Sequence, residues 1–86
     1  MNNLVAVIFT YSFDNETPVF LFKTEKEALA FLKRSYIEEV RIDKEENGWD
    51  CHHFIEEDGR YAEIKNIFYD HEDITRFHLG EVYNLN

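Results

Sequence analysis

Apolar positions along the chain follow two rhythms, and each change of rhythm marks an element boundary. From Leu4 to Phe13, one alternating set holds Val5, Val7, Phe9, Tyr11 and Phe13, and the other holds Leu4, Ala6 and Ile8. Period two with β-branched and aromatic residues predicts a strand; apolarity on both sides predicts a central strand covered on both faces. Asp14-Asn15-Glu16 reads as a turn. Val19 to Phe22 reads as a second short strand, with Pro18 at its start, where a missing N–H is tolerated.

The period then lengthens. Thr24-Glu25-Lys26-Glu27 is a capping box, in which Thr24 accepts from the N–H of residue 27 and Glu27 reaches back. Ala28, Leu29, Leu32, Tyr36 and Val40 follow at helical spacing as one stripe, and Gly48 is the expected terminator. On a helical projection Glu39, Asp43 and Glu46 fall on or beside that stripe. Arg34 and Arg41 lie opposite, within i,i+4 reach of Glu38 and Glu45. Carboxylates cannot continue a buried stripe without partners. The helix is therefore expected to end near Arg41 or to overhang the sheet into water.

Period two returns from Trp49 to Glu57 and from Arg60 to Phe68, joined at Asp58-Gly59, a preferred two-residue type I′ loop. That loop sets Ile55 opposite Ala62, His53 opposite Ile64, Cys51 opposite Asn66 and Trp49 opposite Phe68 on one face, the core face by composition. Asp50, His52, Phe54, Glu56, Tyr61, Glu63, Lys65 and Ile67 take the other face. After a polar loop at residues 70–73, a last strand is expected from about Ile74 to Tyr83, with Phe77 and Leu79 inward.

The order is β-β-α-β-β-β, an α+β domain with a mainly antiparallel sheet and one helix on one face. One helix leaves the other face open. Leu4, Ala6 and Ile8, extended by Phe54, Tyr61 and Ile67, would then form an apolar patch of the kind that marks a contact surface, which points to a homodimer.

Length and composition fit one domain: 86 residues, three glycines, one proline and no visible repeat. Fourteen aromatic rings supply the bulk that so short a chain needs in its core. Cys51 is the single cysteine, so no internal disulfide forms, which suits a reducing cytoplasm. The start of the chain lacks the features of a secretory leader, and no apolar run is long enough to span a membrane.

Charge changes the picture more. The chain carries a formal charge of −9, and residues 36–58 alone hold nine acidic residues against Arg41 and Lys44. Those nine are Glu38, Glu39, Asp43, Glu45, Glu46, Asp50, Glu56, Glu57 and Asp58. Such a balance disfavours direct binding to nucleic acid or an anionic membrane and favours a basic protein surface. A solvated face that only keeps the protein soluble is the plain alternative. The sharper reading is duplex mimicry: Glu39, Asp43 and Glu46 spaced by about 6 and 4.5 Å along a helix axis, continued by the hairpin tip.

Catalytic signals are weak. No G-x-S-x-G, P-loop, G-x-G-x-x-G or H-E-x-x-H motif occurs, and the paired carboxylates lie on surfaces and turns. Cys51-His52-His53 suggests a metal at first, but on a strand His52 points away from the other two. No spacing supplies further ligands, so the reading is a buried thiol and a hydrogen-bonded core histidine, with no metal and no cofactor. An enzyme or metal protein using Cys51, His52, His53, His71 or His78 is the third choice, behind a non-catalytic acidic binding module and a homodimer.

Three stretches carry a resemblance: Thr24-Glu25-Lys26-Glu27-Ala28, the helix end from Val40 to Asp50, and the hairpin turn Glu57-Asp58-Gly59-Arg60-Tyr61-Ala62. Together they resemble small acidic proteins of low-GC Gram-positive bacteria, often encoded near mobile elements. The resemblance implies a cytoplasmic bacterial protein with an accessory or anti-defence role, and it implies no functional residues.

Overall fold

The computed structural model describes residues 3–46 and 51–83, with side chains over 4–46 and 51–80. Five strands and one helix follow in the expected order: β1 (Asn3–Tyr11), β2 (Val19–Phe22), α1 (Glu25–Glu46), β3 (Cys51–Ile55), β4 (Tyr61–Ile67) and β5 (Glu72–Tyr83). The strands form one antiparallel sheet in the order β2-β1-β5-β4-β3, with α1 packed on one face. The fold is α+β.

The last strand lies in the middle of the sheet, so β5 ties the two hairpins together. Its β1 pairing runs from Asn3↔Tyr83 to Tyr11↔Thr75, and its β4 pairing from Tyr61↔His78 to Ile67↔Glu72. β5 begins at Glu72, inside the stretch expected to be loop, because Glu72 and Asp73 pair with Ile67 and Asn66.

Val7, Ala62, Ile64 and Phe77 from the sheet meet Ala28 and Leu32 from α1 in the core. Phe77 is fully buried; the ring of Phe9 stands edge-on to it at 4.8 Å, and Tyr36 at 6.2 Å. Phe9, Phe20, Phe22 and Phe31 close the β2 side through ring contacts of 4.9 to 6.1 Å. Thr24 Oγ1 accepts from Glu27 N–H at 3.2 Å, which is the first half of the expected capping box; the return bond from the Glu27 side chain is absent among the described residues.

The β3–β4 register agrees with the expectation from Cys51↔Asn66 to Ile55↔Ala62. The turn itself differs. Gly59 N–H donates to Glu56 O at 2.9 Å, and among the described residues Gly59 alone has a positive φ, 77°. A type I′ loop needs Asp58 left-handed as well, so this is a turn of the type I class followed by a left-handed glycine. Glu57 and Arg60 both belong to the connection. Arg60 pairs with Glu25, which pins the turn to the first turn of α1.

The outer face is only half apolar. Val19 and Leu21, each 53% exposed, flank Ala6 and Ile8 on the β2 side. Across β5 the face turns polar, with Arg76 Nε 3.3 Å from Glu63 Oε1 and His52 opposite Lys65. Those groups stand between the β1–β2 patch and Phe54 and Ile67, while Tyr61, packed on His78 opposite Ile8, stays beside the patch and donates its hydroxyl to Glu63. The covering expected over the outer side of β1 is not supplied by this chain's helix, which packs on the inner face.

Candidate functional site

The inner face of the sheet changes character at one end. Antiparallel partners share a face, so Cys51, Asn66 and Asp73 form one row across β3, β4 and β5. His53, Ile64 and Thr75 form the next row toward the core. The last turns of α1 lie over these rows and add Glu39, Asp43 and Glu46. A cleft of about 320 Å³ opens there, between the end of the helix, the β4 and β5 members of the two rows, and Phe13 and Phe68.

Asp43 is the main departure from expectation. Neither proposed fate of the helix end occurs: α1 runs on to Glu46, and its inward stripe, partly buried at Tyr36 and Val40, is buried at Asp43, which is 6% exposed. The reason is a partner from another element. Asp43 Oδ2 lies 2.8 Å from His53 Nε2, so the carboxylate that breaks the apolar stripe is met by a polar group from β3. Asp43 is thus no part of an outward-facing docking row. Cys51 completes a cluster in which one ligand atom from each of Asp43, Cys51 and His53 lies within 4.8 Å of the others.

The remaining carboxylates divide. Glu38 and Glu45 both go to Arg41, at 2.6 and 3.0 Å, while Arg34 sits over the Phe31 ring rather than pairing with Glu38 as expected. Glu39 and Glu46 line the cleft with Asp73. Desolvation raises the pKa of Glu39, and repulsion from Glu38, Asp43 and Glu46 raises it further. The helix macrodipole is also negative at this end, where cations and not anions are favoured; Lys44 is the basic residue of the last turn.

Glu56, Glu57 and Asp58 stand elsewhere, around a second cleft with Leu29, Ala30 and Lys33. From Leu29 to Glu46 the helix rises about 25 Å. The acidic block is therefore two groups at opposite ends of α1, and the expected continuous row is broken. Asp50 lies outside the described residues, as do Gly48 and Trp49.

Of the other histidines, His52 and His78 stand away from the cleft, while His71 Nε2 lies 3.6 Å from Asp73 Oδ1 of the outermost row. His52 faces outward beside Lys65. His78 contacts Thr10 Oγ1 at 3.4 Å and the Tyr61 ring; desolvation first, then Arg76, lowers its pKa. His71 is raised by its hydrogen bond to Asp70 at 2.6 Å and stacks on Phe68.

Asn66 was not among the expected site residues. Its Oδ1 is buried with no hydrogen-bond partner among the described residues, at the floor of the cleft. Buried amide oxygens are nearly always satisfied, so an orphan here marks a place where a donor or a cation belongs. The hairpin register put Asn66 opposite Cys51 on the core face, and an asparagine on that face was the available signal.

No helix among the described residues is long and apolar enough to cross a membrane. Comparisons with family models, curated proteins and solved structures give no match.

Proposed function

We propose that this chain is a non-catalytic binding module that receives a basic segment of a partner protein in the cleft at the C-terminal end of α1. One observation carries the reading: Glu39, Glu46 and Asp73 line one cleft at the negative end of a helix, where desolvation first, and then repulsion from Glu38, Asp43 and Glu46, raises the pKa of Glu39. Cations and not anions are favoured at that end of a helix. A lysine or arginine side chain relieves the repulsion, and Phe13 and Phe68 offer walls for its aliphatic stem or guanidinium plane.

In its extended form, the module inhibits a nucleic-acid-binding or CRISPR-type enzyme by occupying its basic groove. That form requires both acidic groups to act together across about 25 Å of helix.

The test compares two charge reversals in a pull-down from the native host. Glu39→Lys with Glu46→Lys alters the cleft; Glu56→Lys with Glu57→Lys makes the same charge change at the far end. Asp43 is left alone, since a lysine there would be buried. Loss of the partner in the cleft variant alone supports a single basic segment. Loss in both supports a long groove. Retention in the cleft variant at physiological salt ends the reading.

A second reading rests on Val19 and Leu21, which leave an apolar strip beside Ala6 and Ile8 on the outer face. A second copy of this chain, laid face to face, is the occupant we propose for it.

A further inference from the structure

We propose that Asp43, Cys51 and His53 form a binding site for a divalent transition metal of the zinc type, independent of the docking reading above. One ligand atom from each lies within 4.8 Å of the others. The three groups come from two elements: Asp43 from the penultimate turn of α1, and Cys51 and His53 from the inner side of β3, two residues apart. The linear spacing Cys-His-His hides this site, because the third ligand is supplied by the helix.

The donor set selects the metal. Thiolate and imidazole exclude magnesium and calcium, which take oxygen ligands, and favour zinc. Three protein ligands from the described residues leave a fourth tetrahedral position for a water or an exogenous ligand, unlike the four-ligand sets of closed structural sites. The open position is where the orphan acquires a role. Asn66 stands directly across from Cys51 on the same face, and its buried Oδ1 can accept from a water on the metal.

The rearrangement required is small. Zinc bond lengths to nitrogen, oxygen and sulfur in a tetrahedral arrangement put the donor atoms about 3.4–3.6 Å apart. The His53–Asp43 pair, now at 2.8 Å, opens by roughly 0.6 Å to admit the ion, and Cys51 Sγ closes toward it. Side-chain rotation suffices for both. The Cys51 thiol releases its proton to solvent, the imidazole keeps its one N–H on Nδ1 so that the Nε2 lone pair is free to bind, and the displaced His53–Asp43 hydrogen bond is replaced by two metal bonds.

Cobalt(II), a spectroscopic stand-in for zinc, tests the site. Titrated into the metal-free chain, it is expected to give one equivalent of binding with a thiolate-to-cobalt charge-transfer band, and zinc to displace it; magnesium is expected to do neither. Cys51→Ser should abolish the band. His53→Gln should weaken binding at least roughly tenfold, the lower range seen even for outer-shell changes. His52→Gln, on the outer face, should leave affinity unchanged. Circular dichroism checks each variant's fold, and if Cys51→Ser fails to fold, the wild-type band decides. A cobalt spectrum without a thiolate band, or equal weakening in His52→Gln and His53→Gln, overturns the proposal.

Discussion

Glu39 shows what the acidic block costs the residue that bears it. Desolvation against the cleft wall and repulsion from Glu38, Asp43 and Glu46 raise its pKa in the folded state. A raised folded pKa means that Glu39's contribution to stability is fully present below its unfolded value and is lost as pH rises through the folded one. At neutral pH the charged group therefore opposes folding. Glu39→Gln is expected to raise the thermal midpoint at neutral pH, by the few tenths to about 1 kcal/mol typical of charges at helix ends. The gain should fade once the pH falls below the ordinary glutamate value of 4.5. Melting curves of both proteins across that range check it; a neutral-pH midpoint no higher than wild type would mean that solvent already screens the cluster. A gain in stability paired with a loss of partner binding is the outcome that ties the residue's cost to its function.

At the scale of elements, the β3–β4 turn decides where the second acidic group stands. Gly59, at φ 77°, lets the chain leave the turn toward β4, and Arg60 then reaches Glu25. An added Cβ would meet Leu29 Cδ2 at an ordinary 3.7 Å, so substitution here costs backbone strain rather than a clash. Gly59→Ala is expected to destabilise by about 1–2 kcal/mol, the cost of a left-handed non-glycine residue. A lower urea midpoint with an unchanged slope would show that. A neutral effect would mean that the turn relaxes to another conformation without loss.

The whole molecule leaves one face of a five-stranded sheet without a helix; its β1–β2 half carries Val19 and Leu21 beside Ala6 and Ile8, and on the other half Phe54 and Ile67 stand among polar groups. Arg76, Glu63, Lys65 and His52 keep the other half wet. A face-to-face pair would therefore meet through β1 and β2. Sedimentation at tens of micromolar is expected to give about twice the chain mass of 10.4 kDa. Leu21→Lys, placing a charge where the side chain is 53% exposed, should return the monomer without unfolding it. A wild-type chain that stays monomeric at that concentration would leave the strip as ordinary surface.

Local pattern carried most of the fold, because period, cap and turn act over a few residues. The Thr24 cap, the bounds of β2, and the pairing of Cys51 with Asn66 follow from neighbours in the chain. The same register sets His52 outward and His53 inward without reference to any tertiary contact. What the sequence could not contain was the meeting of Asp43 with His53, ten residues apart across the helix–strand connection. A carboxylate on a buried stripe looks like a helix end when only i,i+4 partners are counted, and becomes a core residue once a strand brings an imidazole to it. Linear distance likewise merged acids that the straight rise of α1 sets apart: Glu46 and Glu56 are close in the chain, yet the antiparallel turn of β3 carries Glu56 back beside Leu29. Charge composition is a property of the chain alone. Which charges share a cleft, which are paired and which are buried depends on long-range packing, and tertiary structure alone decided that.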